Sequence, residues 1–268
     1  MQSDFFLEVE GTLLEFRWIP PANPDLPTLI FLHEGLGCAG MWKDFPDQLA
    51  HSTECGILIY SRAGYGRSGP ARLPRPVRYM HDEGLRVLPE ILKKLALTQF
   101  FLLGHSDGAS IALVYAGSGA MPKASGLILL APHVFNEKLC VDSIQLAAEA
   151  YRTTDLPVKL ARYHGNHTDE TFWGWHDIWV HPEFWHWNIE EFLSGIDIPV
   201  LVIQGADDQY GTTLQMEAIR TQVSGPCTLR LLENCRHSPQ KDHPAGVQNE
   251  IHEFIFSLRQ KAAQEEDR

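Results

Sequence analysis

The chain lacks the features that mark several large protein classes. No apolar run approaches the ~20 residues that a membrane-spanning helix needs. Basic residues are scarce, with 22 Lys and Arg against 34 Asp and Glu and a formal charge of −12. Nucleic-acid binding draws on clustered Lys and Arg, so no nucleic-acid partner is expected, and an anionic membrane surface is disfavoured for the same reason. No CxxC pair occurs among Cys38, Cys55, Cys140, Cys227 and Cys235, which argues against a zinc ribbon or a dithiol motif, and an odd count without framework spacing argues against a disulfide scaffold. The opening Met1-Gln2-Ser3-Asp4 has none of the basic-then-apolar pattern of a secretory leader. A reduced, cytoplasmic setting is the expectation.

What is present is an alternation of short apolar runs and helical periodicities. Residues 5–19 alternate about a break at Glu10-Gly11, the pattern of a β-hairpin. Continuous apolar runs follow at residues 28–32, 56–60, 100–103, 127–130 and 200–203, with a sixth candidate at 228–232. Such runs read as strands buried on both faces. Helical patterns fall between them, at residues 77–97, 106–115 and 244–258. Strands alternating with helices predict a mostly parallel sheet covered on both faces. Between Ala131 and Pro199 the alternation stops. That stretch has no strand pattern, reads as helical over 140–151, and holds five of the seven tryptophans between positions 173 and 187. A strandless stretch of this length is usually functional. The expected organisation is a core of residues 1–131 and 196–268 with a helical cap, residues 132–195, inserted over one end of the sheet.

The most specific motif is Gly104-His105-Ser106-Asp107-Gly108. It follows the run at 100–103 directly and precedes a helical pattern. This strand–turn–helix setting suits a nucleophilic serine held on a tight turn at a helix N-terminus, although a serine there can also serve only as an N-cap. A serine hydroxyl needs a base, and the base needs an orienting acid. Candidates lie at the C-terminal ends of later strands, where open α/β sheets gather ligands. Asp208, in Gly205-Ala206-Asp207-Asp208, is the preferred acid, with Asp207 as its competitor. His237 is the preferred base, with His105 and His243 competing. Negative charge developing on a substrate oxygen calls for preorganised N–H donors. Asp107 and Gly35, the latter in His33-Glu34-Gly35-Leu36-Gly37, are the candidates.

Together these segments resemble the α/β-hydrolase superfamily over almost the whole chain. Residues 33–42 look like its oxyanion-loop segment, and Ser61-Arg62-Ala63-Gly64-Tyr65-Gly66-Arg67-Ser68 is similar to its D-x-x-G-x-G-x-S turn. The resemblance implies the α/β-hydrolase fold: an eight-stranded, mostly parallel sheet with helices on both faces and a helical cap. It also implies a triad of Ser106, Asp208 and His237 in that chain order, an oxyanion hole of Gly35 and Asp107, and no cofactor. The expected activity is a serine hydrolase that cleaves a carboxylic ester, lactone or thioester through an acyl-enzyme. Carbon–carbon hydrolysis of a β-diketone-like substrate and a binding protein with little turnover stand as alternatives. Two departures, Glu34 after the loop histidine and Asp107 after the nucleophile, place carboxylates beside the acyl site. They either select against anionic substrates or turn into local hydrogen bonds. Glu34, Trp173 and Trp175 are the candidate substrate-binding residues, for a small-molecule ester with an apolar acyl part. His164, His167, His176, His181 and His186 raise the question of a metal site, but no Cys accompanies them and HExxH is absent. No metal is expected, and the oligomeric state is left open.

Overall fold

The apolar runs become the inner strands of one eight-stranded sheet. A computed structural model of the chain describes residues 3–266. The strands are β1 (Ser3–Val9), β2 (Thr12–Ile19), β3 (Thr28–Leu32), β4 (Gly56–Ser61), β5 (Phe100–His105), β6 (Leu127–Leu130), β7 (Val200–Gly205) and β8 (Cys227–Leu232). Their order across the sheet is β1-β2-β4-β3-β5-β6-β7-β8. The β1–β2 hairpin is antiparallel and pairs antiparallel with β4, while every other pairing is parallel.

The helices are α1 (Phe45–Thr53), α2 (Tyr79–Asp82), α3 (Leu88–Lys94), α4 (Asp107–Gly117), α5 (Lys138–Thr153), α6 (Leu156–His164), α7 (Thr168–Trp179), α8 (Leu214–Gln222), α9 (Pro239–Asp242) and α10 (Pro244–Glu266). The period-two rule for strand side chains sorts the core into two layers. In β3, Ile30 and Leu32 join α3 and α4 on one face, while Leu29 and Phe31 join α1 and α10 on the other. Every residue of β3 to β7 is buried, which is why these strands read as unbroken apolar runs. β8, at the sheet edge, is only partly covered. Among the described residues no helix is long and apolar enough to cross a membrane.

The single helical pattern at 77–97 is divided. A π-helical turn, Glu83–Val87, separates α2 from α3. Pro89 has no N–H to give the carbonyl one α-helical turn earlier, and the chain widens just before it. Between β6 and β7 lie α5, α6 and α7 and then two short 3-10 turns, Pro182–His186 and Glu190–Gly195. Aromatic packing organises this segment: Phe184 stacks on Trp187 at 5.2 Å and meets Trp179 at 4.9 Å.

The turn from β5 into α4 is tight. Ser106 sits at φ 53°, ψ −118°, a left-handed conformation that a residue with a side chain adopts only when its surroundings impose it. A Cβ on Gly108 would stand 1.9 Å from the Leu32 carbonyl oxygen, and one on Gly104 would stand 2.3 Å from the Gly108 carbonyl oxygen. Both obstacles are main chain, so no rotamer change relieves them. Gly108→Ala is therefore expected to destabilise the protein by about 3 kcal/mol or more, read as a lowered denaturant midpoint with an unchanged m-value.

Candidate active site

β5 delivers Ser106 to the C-terminal edge of the sheet, and the loops after β7 and β8 deliver two further groups beside it. Asp208 follows the end of β7 and is buried, whereas Asp207 is exposed and is held through its backbone N–H to the Cys235 carbonyl. The carboxylate of Asp208 accepts from His237 Nδ1 at 2.8 and 3.0 Å, from the Tyr210 N–H at 2.9 Å and from Gln204 Nε2 at 3.3 Å. Burial alone would raise its pKa. The positive charge and hydrogen bond of His237, with the Tyr210 N–H, outweigh burial and hold it below the ordinary value. With Nδ1 engaged, the other ring nitrogen of His237 is left for the cavity. His237 and Ser106 line the same cavity, of about 110 Å³. The Ser106 hydroxyl and the imidazole are not hydrogen-bonded to each other in this structure.

The competing histidines are held elsewhere. His105 Nε2 donates to the His237 carbonyl at 2.7 Å, and its Nδ1 lies 3.1 Å from Gln240 Nε2. It props up the main chain of the His237 loop. His243, just before α10, is 3.3 Å from the Asn234 carbonyl through Nε2.

The two candidate N–H donors flank Ser106. Asp107 opens α4, so its N–H has no partner within the helix, and the 33–37 loop brings Gly35 to the other wall of the cavity. The buried guanidinium of Arg62 connects the two walls. It donates to the carbonyls of His33 and Glu34, the latter at 3.1 Å, and its Nη2 is 3.6 Å from Asp107 Oδ2. Arg62 N–H also donates to His33 Nε2 at 3.0 Å, while His33 Nδ1 donates to the Glu34 carbonyl at 2.7 Å. One side chain thus bridges both segments.

The two carboxylates expected beside the acyl site part company. The Asp107 side chain turns away from the cavity, accepting from Tyr79 Oη at 2.7 Å and facing Arg62. Glu34 stays at the cavity, with Oε1 3.5 Å from Lys241 Nζ and Oε2 3.5 Å from His105 Nδ1. Burial pushes its pKa up, but Lys241 and His105 overcome this and hold it well below the usual carboxylate range.

Of the expected tryptophans, Trp175 lines the cavity and lies directly on the 33–37 loop, since a Cβ on Gly35 would meet its Nε1 at 2.2 Å. Trp173, expected at the substrate site, does not line it. It packs outward against Tyr151 and Phe172, with the Arg152 guanidinium 4.9 Å over its ring. Helical phase explains the difference. Residues four apart share a face, so Trp179, not Trp173, joins Trp175 at the cavity. His133, Cys140, Ile144 and Tyr210 also line it and were not singled out from the sequence. His133 follows the C-terminal end of β6, the position at which such sheets gather ligands, and that rule could have found it.

The histidines between β6 and β7 do not converge. His164 accepts from the Gly66 N–H at 3.0 Å through Nδ1 and reaches the Leu36 carbonyl at 3.0 Å through Nε2, so both nitrogens are used. His167 pairs with Glu170, His176 with Asp177, and His181 Nδ1 accepts from the Glu183 N–H. Among the described residues no three His, Cys, Asp or Glu side chains are grouped to hold a metal ion.

Two outcomes are expected from this chemistry. Arg62→Met leaves the buried Asp107 carboxylate without its cation, and a loss of about 3–5 kcal/mol is expected on urea unfolding. His133 has its pKa pushed down from 6.5 to about 3 by burial and then by the charge of His237. It is neutral when folded and takes up a proton when unfolded below about pH 6.5, so its contribution is complete above that pH and is lost as pH falls toward 3. His133→Phe should flatten the acid side of the stability–pH curve by up to about 1.4 kcal/mol per pH unit across that window, measured by unfolding at several pH values.

Comparison with known proteins agrees with the fold. A model of the alpha/beta hydrolase family matches residues 29–249. A proline iminopeptidase of Lactobacillus delbrueckii subsp. lactis is 22% identical over 87% of this chain and 91% of its own length. A 2-succinyl-6-hydroxy-2,4-cyclohexadiene-1-carboxylate synthase of Salmonella paratyphi B is 24% identical over 88% and 96%. Among solved structures, an esterase from Exiguobacterium antarcticum superposes with a TM-score of 0.75 at 18% identity, covering 94% of this chain and 99% of that one. With the match spanning most of its length and the sheet order as described, this chain belongs to the alpha/beta hydrolase family.

Proposed function

We propose that the chain is a serine hydrolase that cleaves a small carboxylic ester, lactone or thioester through an acyl-enzyme, with Ser106 as nucleophile, His237 as base and Asp208 as its orienting acid. The observation that carries this reading is a serine in a strained turn sharing a cavity with an imidazole whose Nδ1 is fixed on a buried carboxylate. Hydrogen bonds between nucleophile and base are commonly long before substrate binds, and Ser106 and His237 open onto the same cavity.

In the first half-reaction Ser106 Oγ attacks the carbonyl carbon while its proton passes to His237 Nε2, and Asp208 stabilises the imidazolium through Nδ1–H. The oxygen that becomes negative is received by the N–H groups of Asp107 and Gly35, each such donor worth roughly 3–4 kcal/mol in the transition state. Collapse expels the leaving group, which takes the proton from His237. A water molecule deprotonated by His237 then cleaves the acyl-enzyme and restores Ser106. Residues 132–195 act as a cap on the core formed by 1–131 and 196–268. Ile144, Trp175 and Trp179 give the cavity an apolar side suited to a small apolar acyl group. Glu34, ionised at the opposite side, disfavours a free carboxylate next to the scissile carbonyl. The free cysteines Cys38, Cys55, Cys140, Cys227 and Cys235 fit a reducing, cytoplasmic setting.

The deciding experiment measures turnover of p-nitrophenyl acetate and butyrate, with L-proline p-nitroanilide and a β-diketone in the same panel. Wild type should hydrolyse the esters fastest, with Ser106→Ala and His237→Ala each losing on the order of 10⁴-fold or more in kcat. Undiminished ester turnover by Ser106→Ala overturns the reading, and faster cleavage of the anilide or the diketone replaces the substrate class.

A further inference from the structure

We propose that His133 is a specificity-determining residue that recognises a neutral hydroxyl group on the substrate, close to the carbonyl attacked by Ser106. The proposal rests on the hydrolase reading above and narrows it.

His133 is 1% exposed and lines the cavity that holds Ser106 and His237. Its Nδ1 is buried without a partner, and neither ring nitrogen makes a hydrogen bond among the described residues. The ring is held by other means. Ser110 Oγ donates to the His133 carbonyl at 2.6 Å, and the next residue, Val134, donates its N–H to Gln215 Oε1 at 2.7 Å. The imidazole packs between Trp179, at 5.2 Å between centroids, and His237, at 5.6 Å. Backbone anchoring and ring packing therefore fix the side chain while leaving its polar atoms unspent.

A buried polar atom without a partner is destabilising. An apolar ring would fill the same space beside Trp179 without that cost. An imidazole kept there is complementary to a partner that arrives with the substrate. Being neutral, it offers one donor and one acceptor on opposite ring edges, and a hydroxyl suits whichever nitrogen faces the cavity, because it can accept from an N–H or donate to a bare nitrogen. The charges around the cavity exclude the alternatives. An anionic group would face the carboxylate of Glu34 in the cavity wall. A cationic group would find its counter-charge taken, because the Glu34 carboxylate is already shared with Lys241 and His105. The hydroxyl can belong to the acyl part or to the alcohol part of the ester, and the two are separable by experiment.

The test compares two isosteric pairs. For the acyl arm, p-nitrophenyl 3-hydroxybutyrate is set against p-nitrophenyl 3-methylbutyrate. For the alcohol arm, 2-hydroxyethyl butyrate is set against propyl butyrate. Wild type should favour the hydroxylated ester in one arm by on the order of tenfold or more in kcat/KM, the consequence of leaving the imidazole unpaired with the other. In His133→Phe that ratio should fall to near one, and in His133→Gln, which keeps a donor and an acceptor, part of it should return. Wild-type ratios near one in both arms, with all four esters turned over, overturn the assignment and leave the hydrolase reading standing. They do so without reference to any variant, so a misfolded His133→Phe does not protect the proposal. A ratio unchanged in a folded His133→Phe overturns it equally. If wild type turns over none of the four, the hydrolase reading fails and this proposal falls with it.

Discussion

A side chain held at φ 53° costs on the order of 1–3 kcal/mol, and at Ser106 the surrounding architecture is arranged so that no other conformation is open. The Ser106 N–H is committed to the Leu130 carbonyl of β6, and its own carbonyl accepts from Ala109 and Ser110 in α4. On the far side, α4 lies so close to the end of β3 that position 108 has no room for a side chain. Strand, helix and neighbouring strand leave the turn only one course. Everything the site does follows from that course. It projects the hydroxyl beyond the sheet edge, frees the Asp107 N–H, and sets both at one end of the cavity that the β7 and β8 loops reach from the other side.

The wall opposite the elbow depends on a buried charge. Arg62 stands at the end of β4, and its guanidinium spans the carbonyls of His33 and Glu34 on one side and the Asp107 carboxylate on the other. A fully buried arginine is tolerated only where its donors find acceptors and its charge finds a counterion. Here both come from the two segments that must stay in register with Ser106. Asp107 is consequently spent on architecture, while Glu34, whose carbonyl is tied to Arg62 and whose carboxylate pairs with Lys241 and His105, keeps its side chain at the cavity.

The order of strands and helices was legible because burial on both faces leaves continuous apolar runs, and the alternation of those runs with helical periods admits few topologies. The acid and base candidates were legible because residues at C-terminal strand ends converge in such a sheet, whatever their separation in sequence. Two kinds of feature were not. Helix phase failed at Trp173: the residues around it are aromatic on several faces, and only the contact of α7 with the 33–37 loop decides which face looks inward. Side-chain direction stayed open at Asp107, whose partners, Tyr79 and Arg62, come from separate elements. His133 was passed over because a lone histidine beside a proline carries no periodicity. Its meaning lies in what its ring nitrogens do not touch.

The β1–β2 hairpin could be taken for a mere border to the sheet. Yet Glu15, in β2, sends its carboxylate inward to accept from Ser61 Oγ at 2.9 Å and from the Arg67 N–H at 2.8 Å. Ser61 Oγ in turn receives the Ala39 N–H at 2.9 Å, just beyond the 33–37 loop. Ser61 occupies the place where the family's turn motif carries an aspartate. A carboxylate still stands at that turn, supplied by the neighbouring strand β2. The rim of the sheet and the segment that follows the 33–37 loop are consequently joined by buried side-chain hydrogen bonds, so that loosening the border would be felt at that loop.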